Sequence, residues 1–199
     1  MGAMIVKDTY TGSDSTDATS RAPDFGPTPV STSSTYLIQS NQLTNANANP
    51  GGATYHALAY ECGTPNVDIT AQMTNEDGGG EGTYDLWYLV ARWVDGDNFF
   101  QLGLGETLHL YRLVSGAATL IGDEAVSFTD GNTYTVRLVV RGDQFLCYLD
   151  GDLIYSVADS TFIDATEHGV QIDANVTAIS TLDNLVIRGS LSPAMMLML

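Results

Sequence analysis

The sequence predicts an all-β protein in which two antiparallel sheets pack against each other. Apolar and polar residues alternate over short runs, which is the period of half-buried strands. Turn residues separate these runs, and no segment shows a helix of ordinary length. The clearest example is residues 133–156, TYTVRLVVRGDQFLCYLDGDLIYS, where Gly142-Asp143 and Asp150-Gly151 separate three alternating segments.

The first third of the chain contains long polar stretches between its strands. Residues 11–35 are rich in Ser, Thr, Asp and Pro, and Pro23, Pro27 and Pro29 block regular structure, so this segment is predicted to be a long loop. Residues 36–43 are predicted to form a short strand. After a second polar stretch, strands are predicted at 55–60 and 67–73, and the run EDGGGE at 76–81 is predicted to be a flexible turn.

From residue 86 onward the predicted strands follow one another closely. They are residues 86–93, 99–104, 108–114, 118–122, 133–141, 144–149, 153–157, 169–173 and 181–188. Asp95-Gly96, Asp130-Gly131 and Asp150-Gly151 are typical hairpin dipeptides, because glycine accepts the positive φ of a tight turn. So many short strands in one chain indicate two packed sheets.

Length and charge restrict the organisation and the partners. A chain of 199 residues, 44% of them hydrophobic, can form one domain around one core, and we expect it to cover residues 1–190. The 24 acidic and 7 basic residues give a net charge of −17, which repels nucleic acids and anionic membranes. A solvated acidic surface that keeps the protein soluble is the simplest explanation of this charge.

The two ends of the chain differ in character. The amino-terminal residues MGAMIVKDTY lack a long apolar core after a basic start, so we expect no secretory signal peptide in this chain. Residues 191–199 form an apolar tail that is too short to span a bilayer. We expect the tail to pack on a partner or on a neighbouring copy in a homo-oligomer, through Met195, Met196, Leu197, Met198 and Leu199.

Cysteines and histidines show no metal or redox pattern. Cys62 and Cys147 are far apart, and Cys147 shares a predicted strand face with Phe145 and Leu149, so we expect two free thiols, the second one buried. The three histidines, His56, His109 and His168, are scattered and are interpreted as surface or strand residues.

Several short segments occur in an order and spacing that resemble one superfamily. They are Asp8-Thr9-Tyr10-Thr11, Arg21-Ala22-Pro23-Asp24-Phe25-Gly26, YLIQSNQL at 36–43, LVARW at 89–93, DNFF at 97–100, residues 134–140, Gly142-Asp143, YLDG at 148–151, His168-Gly169-Val170 and LDNLVI at 182–187. The chain resembles the concanavalin A-like lectin and glucanase superfamily, especially laminin-G-like modules of phage virions and bacterial surface proteins. The resemblance implies a two-sheet antiparallel jelly-roll sandwich with its first and last strands close together.

The resemblance also suggests calcium, which this superfamily often binds through hard oxygen ligands. Asp95, Asp97 and Asn98 cluster in one predicted hairpin loop, where a simple turn is the alternative. Asp8 and Asp183 could meet where the terminal strands approach, although the capping of an edge strand explains Asp183 nearly as well.

Retaining glycosidases of this superfamily share a strand with the sequence pattern Glu-x-Asp-x-(x)-Glu. In this chain the nearest approach is Glu76-Asp77 with Glu81, which is interrupted by three glycines and lies in a predicted turn. Hydrolysis needs two carboxylates that flank the bond. We therefore predict no catalytic residues and no enzymatic activity.

One sheet face is the candidate for carbohydrate contact, because sugars stack on aromatic rings and need polar groups around them. Alternation along 86–93 predicts that Trp87 and Trp93 point into the core and that Tyr88 and Arg92 point away from it. Gln101, His109 and Tyr111 lie on strands that can be neighbours of this one. Packing against a second layer is the alternative explanation of the same aromatic residues.

The expected function is therefore a non-enzymatic structural or adhesive jelly-roll module of a phage-type virion, as a capsid decoration, fibre-associated or tail-associated protein. It would act by contact with other virion or surface-assembly proteins and could also contact a glycan. The alternative is a free lectin-like carbohydrate-binding module, and an atypical glycoside hydrolase is a more remote one. The expected location is a virion or the extracellular space.

Overall fold

The computed structural model describes residues 2–31, 36–45, 57–74, 87–129, 131–172 and 180–190. Within these ranges the strands are Met4–Asp8 (β1), Thr16–Asp17 (β2), Val30–Ser31 (β3), Tyr36–Gln39 (β4), Gln42–Asn45 (β5), Ala57–Glu61 (β6), Val67–Thr74 (β7), Trp87–Asp95 (β8), Asn98–Leu104 (β9), Thr107–Val114 (β10), Ala117–Ala125 (β11), Thr133–Arg141 (β12), Gln144–Leu149 (β13), Asp152–Ala158 (β14), Glu167–Ile172 (β15) and Thr181–Gly189 (β16).

These strands form two antiparallel sheets, which confirms the predicted two-sheet sandwich. Nine of the described strands make one sheet in the order β14-β13-β12-β7-β16-β5-β4-β2, with β1 pairing to β16. The other seven follow the order β11-β10-β9-β8-β15-β6-β3. Non-consecutive neighbours such as β7 and β16 show that the chain crosses repeatedly between the sheets, as in a jelly roll.

The main core lies between the sheets and follows the predicted alternation. In β12 the inward residues are Val136, Leu138 and Val140, and all three are fully buried. From the other sheet, Phe100 reaches across and its ring centroid lies 4.5 Å from that of Phe145. Each such side chain contributes about 1.5–3 kcal/mol to folding by leaving water, so this layer holds the two sheets together.

The first and last described strands meet, as the resemblance implied. In the register of β1 and β16, Asp8 lies opposite Leu185. At the other end of the pair, the Gly189 amide donates a 2.9 Å hydrogen bond to the Ala3 carbonyl. β1 therefore pairs with the second half of β16, while Leu182 in the first half pairs with Leu43 of β5.

The turns agree with the sequence in two hairpins. Asp150 and Gly151 have φ angles of 49° and 95° and join β13 to β14, as Asp-Gly predicts. β8 and β9 also form a hairpin, but Asp95 is the last residue of β8, opposite Asn98, and the turn residues are Gly96 and Asp97. Asp130 lies outside the described residues, but the strands on either side, β11 and β12, belong to different sheets, so the connection between them is not the predicted hairpin.

The predicted single strand at 36–43 is instead a hairpin of β4 and β5. Ser40 and Asn41 have φ angles of 52° and 59°, which is the left-handed pair that a two-residue hairpin turn requires. Residues 11–31, predicted to be loop, contain the short strands β2 and β3 and a 3-10 turn at Ala18–Ser20, where the Asp17 carboxylate accepts a 2.8 Å hydrogen bond from the Thr19 amide.

Both cysteines are free, as predicted, and both are buried, although burial was predicted only for Cys147. Burial raises the pKa of the Cys62 thiol and that of the Cys147 thiol to about 12 each. Across the described ranges, no helix has the length and hydropathy that a membrane crossing needs.

Candidate binding face

The seven-stranded sheet has a second, smaller apolar cluster on the side that faces away from the main core. We call this side the outer face. The cluster consists of Ala57, Ala59, Val90, Trp93, Phe99 and Leu113, with Tyr111 packed against it. Because strand residues alternate between the two faces, Tyr88, Gln101, His109 and Gln171 belong to the same side.

The structure brings four of the predicted carbohydrate-binding residues together on this outer face. Gly103 of β9 pairs with Tyr88 of β8 on one side and with His109 of β10 on the other. One step along the strands, Gln101 pairs with Tyr111. The predicted grouping across three adjacent strands is therefore present, while its binding role stays a prediction.

The aromatic rings of this group are in mutual contact. The His109 and Tyr111 ring centroids lie 5.2 Å apart at an interplanar angle of 70°, and the Tyr88 and His109 centroids lie 6.4 Å apart. Gly103 permits this arrangement, since a Cβ there would lie 2.6 Å from both the His109 Nε2 and the Tyr88 Cε1. Tyr88 is only 8% exposed, whereas His109 and Tyr111 are half-buried, so these last two offer the accessible surface.

Two glutamines beside the rings carry buried acceptors. Gln101 is 5% exposed and Gln171 is 1% exposed, and the Oε1 atom of each has no hydrogen-bond partner among the described residues. An unpaired buried acceptor costs about 1–3 kcal/mol. The predicted set did not include Gln171, which pairs with Tyr88 of the neighbouring strand. Gln171 lies two residues after Gly169 on a predicted strand and so faces the same side, and this alternation could have identified it.

Arg92 does not lie on the outer face, so the prediction that its side chain points away from the core was wrong. The register of β8 shifts between Ala91 and Asp95, and Arg92 takes a left-handed φ of 52°. Its side chain points inward, where the guanidinium lies over the Phe145 ring at 5.1 Å and donates to the Gly142 carbonyl. Burial lowers the pKa of this guanidinium, and nearby aspartates oppose that effect.

Trp93 occupies the outer face in place of Arg92. The sequence predicted that Trp87 and Trp93 both point into the core, and this holds for Trp87. Beyond the shift in register Trp93 points the other way, and its ring centroid lies 4.7 Å from that of Phe99. Trp93 is 4% exposed, so it packs within the apolar cluster of the outer face and leaves little of its ring accessible.

His168 holds this irregular part of β8 in place. Its Nδ1 accepts a 3.1 Å hydrogen bond from the Arg92 amide, and its Nε2 lies 3.0 Å from the Thr64 carbonyl. This pairing requires the neutral imidazole with its proton on Nε2. Burial lowers the pKa of His168 to about 4, so the ring stays neutral at physiological pH and acts as a structural residue.

The first predicted calcium set is engaged in turn hydrogen bonds. The Asp95 Oδ1 accepts from the Asp97 amide and from the Asn98 side chain, each at 2.8 Å. The Asn98 Oδ1 accepts from the Ser115 amide at 3.0 Å. The first two contacts close the hairpin of β8 and β9, and the third joins this hairpin to the turn between β10 and β11. This is the simple turn that the sequence left as an alternative.

The second predicted set lies where β1 and β16 meet. Asp8 forms an ion pair with Arg21 and accepts a 2.8 Å hydrogen bond from the Tyr10 amide, whereas Asp183 accepts a 2.6 Å hydrogen bond from the Asn184 amide. Burial raises the pKa of Asp8 and that of Asp183, and the charge of Asp24 adds to both. In the described part of the chain, no three His, Cys, Asp or Glu side chains converge on a metal position.

Several predicted residues fall outside the described ranges. They are His56, Glu76, Asp77, Glu81 and the tail residues Met195, Met196, Leu197, Met198 and Leu199. The assembly contact through the tail therefore stays a prediction.

Solved structures with a similar fold include proteins that act on or bind carbohydrates. The chain is similar to the carbohydrate binding module CBM66 from Bacillus subtilis with a TM-score of 0.56 and 17% identity, over 95% of this chain and 99% of that one. The similarity to the GlcNAcα1-4Gal releasing endo-β-galactosidase from Clostridium perfringens has a TM-score of 0.57 and 10% identity, over 94% and 62%. The similarity to the laminarinase from Flavobacterium sp. UMI-01 has a TM-score of 0.53 and 10% identity, over 77% of this chain and 81% of that one.

These similarities establish the fold. The chain has a concanavalin A-like jelly-roll fold, as the sequence resemblance implied. No protein-family model matches the sequence, and the comparison with curated proteins gives no match.

Proposed function

We propose that this protein is a non-enzymatic adhesive module that binds a glycan on the outer face of its seven-stranded sheet. The half-buried ring pair of His109 and Tyr111, 5.2 Å apart, is the observation that carries the proposal. Sugar rings present apolar C–H faces to aromatic rings and direct their hydroxyl groups to polar neighbours. A carbohydrate binding module of the same fold makes glycans the first ligand class to test.

The chemistry around the ring pair supports binding rather than hydrolysis. Glycoside hydrolysis uses two carboxylates that flank the scissile bond. Among the described residues that pair with His109 or Tyr111 across the strands, Asp123 alone carries a carboxylate. The direct strand partners of the two rings therefore supply one carboxylate, where the usual acid and nucleophile pair needs two.

The decisive experiment is a glycan array probed with wild-type protein, Tyr111→Ala and His109→Ala. Loss of one ring contact is expected to weaken binding about tenfold, which corresponds to about 1.4 kcal/mol. Tyr148→Ala is the matched control, because Tyr148 is a half-buried tyrosine on the outward side of the other sheet, beneath Arg137. Absence of any bound glycan, or equal weakening by Tyr148→Ala, would refute the proposal.

Enzymatic turnover needs a separate measurement on the same glycans. If the module only binds, incubation with the bound glycan should release no new reducing ends over a day. Release of reducing ends that Tyr111→Ala abolishes would show instead that the face belongs to a hydrolase.

The proposal keeps the setting expected from the sequence, a virion or another surface assembly. Its support is the apolar run at 195–199, because contact with water is unfavourable for a cluster of Met and Leu side chains. Sedimentation of the full chain and of a chain truncated after Ala194 tests this part. A self-assembling full chain and a monomeric truncated chain are expected; identical sedimentation would remove the oligomeric part of the proposal and leave glycan binding intact.

A further inference from the structure

A groove of about 640 Å³ lies at one end of the outer face, between the end of β8 and the loop at 159–166. Its walls are formed by Trp93, Val94, Ser160, Phe162, Ile163, Asp164, Ala165, Thr166 and Glu167. This volume is within the range of about 300–1,000 Å³ that is typical of ligand sites. The groove is separate from the His109 and Tyr111 ring pair.

The loop wall of the groove is held rigidly. Arg92 donates to the carbonyl groups of Asp159 and Thr161 at 3.4 and 3.5 Å, and Arg112 forms a 2.7 Å ion pair with the Asp159 carboxylate. The Phe162 ring packs edge-on against Phe100 of the main core at 6.1 Å. Because these contacts fix the loop before any ligand arrives, little ordering would be needed on binding.

The rim of the groove is apolar and accessible. Val94 is 53% exposed and Ile163 is 39% exposed, and both line the groove. Trp93, in contrast, is 4% exposed, which leaves too little ring surface for a sugar to stack on. The apolar contact that this groove offers is therefore to aliphatic or aromatic side chains of a ligand.

Carboxylates lie beside this apolar rim. Glu167 lines the groove and pairs directly with Glu61 of β6 across the sheet. Burial, followed by the charge of Glu61, raises the pKa of Glu167, as expected for two opposed carboxylates without a cation between them. Neither glutamate, nor Asp164 on the loop, forms an ion pair with a described residue.

We propose that this groove is a docking site for an extended segment of a partner protein in which a lysine or arginine is flanked by apolar side chains. The cation would lie between Glu61 and Glu167, and the flanking side chains would cover Val94 and Ile163. Charge complementarity favours this occupant, since like charges directly opposite each other on two strands are destabilising until a cation joins them. The two glutamates alone are too few to enclose a calcium ion, which takes six to eight oxygen ligands.

The test is selection of a displayed library of random, tryptophan-free nonapeptides on the immobilised full chain. Enriched peptides are expected to carry a lysine or arginine between apolar residues. The best peptide is then titrated against the protein in solution, with calorimetry for the Kd and tryptophan fluorescence for the location. Trp87 and Trp93 are the two tryptophans of the chain, and Trp93 lines the groove, so binding should change the emission of the protein.

Three variants locate the binding. The double variant E61Q/E167Q should weaken binding of the peptide by about two- to thirtyfold, since each of the two partly exposed ion pairs contributes about 0.2–1 kcal/mol. Ile163→Asp is the variant of the apolar rim. E61Q/E167Q removes two opposed like charges, which should not unfold the sheet, so it tests the groove even if Ile163→Asp fails to fold. Glu124→Gln is the matched control, because Glu124 is an exposed carboxylate on β11, at the far edge of the same sheet.

The outcomes are distinct. Weaker binding by E61Q/E167Q together with unchanged binding by Glu124→Gln supports the groove. No enrichment, enrichment of uncharged or acidic peptides, or equal Kd values for wild type and E61Q/E167Q would overturn the proposal. Tyr111→Ala should leave peptide binding unchanged, so failure of the glycan proposal and failure of this one are told apart.

Discussion

Acidification should destabilise this protein through a single buried side chain, His168. In the folded state burial and the charge of Arg92 lower its pKa from 6.5 to about 4, while the Thr64 carbonyl and Glu61 act in the opposite direction. In the unfolded chain the imidazole titrates near its ordinary pKa of about 6.5, so the unfolded state takes up the proton first. The stabilisation by neutral His168 is therefore complete above about pH 6.5 and is lost as the pH falls toward 4.

The size of the effect follows from the two pKa values. The fall from 6.5 to about 4 corresponds, at about 1.36 kcal/mol for each pKa unit, to about 3 kcal/mol of the free energy of unfolding. Small domains are stable by only about 5–15 kcal/mol, so this single proton removes a large share of the total. The structural cause is specific, because protonated Nδ1 can no longer accept the hydrogen bond from the Arg92 amide.

Urea unfolding of wild type and His168→Gln at pH 7, 5.5 and 4 measures this contribution. Carboxylates and the other histidines titrate in both proteins, so their effects cancel in the difference between the two free energies of unfolding. Wild type should be the more stable protein at pH 7, because the variant disturbs two buried hydrogen bonds. The difference should shrink by about 3 kcal/mol between pH 7 and 4. A difference that stays constant over this range would refute the reasoning.

Two further predictions concern packing. Gly103→Ala would place a Cβ 2.6 Å from atoms of both Tyr88 and His109, so the rings must move. We expect the free energy of unfolding, measured with urea, to fall by about 1–3 kcal/mol and glycan binding to weaken. Unchanged values for both would contradict the ring arrangement. Cys62 and Cys147 should resist a thiol reagent at pH 8 in the native protein and react fully in denaturant, since burial raises the pKa of each to about 12. Rapid native labelling of either cysteine would show that its surroundings open far more often than the structure implies.

The regular parts of the fold could be predicted because local signals and packing agree there. Strands β12 and β13 have the bounds that alternation predicted, and Gly142, Asp150 and Gly151 supply the positive φ angles of their turns. The hairpin at Ser40 and Asn41 was missed because the apolar pattern continues across the turn, although asparagine is a residue that tolerates the left-handed conformation.

The face of the candidate site was harder to predict, because one irregularity reverses the side-chain direction. Alternation assigned Arg92 to the outer face and Trp93 to the core, and the structure has them the other way round. An arginine with a left-handed φ has no local sequence signal. Its support comes from His168, which is 76 residues away in sequence, so only the tertiary structure could show the exchange.

The pairing of β1 with β16 has a consequence for how the molecule is made. During synthesis β1 leaves the ribosome long before β16, and apart from a single bridge between Lys7 and Phe25 it has no described partner until residues 181–189 have also emerged. Contacts so distant in sequence require the closure of a very long loop, and folds dominated by them complete slowly. The nascent chain should therefore carry an unpaired strand for most of its synthesis, and its high negative charge would help to keep such intermediates apart.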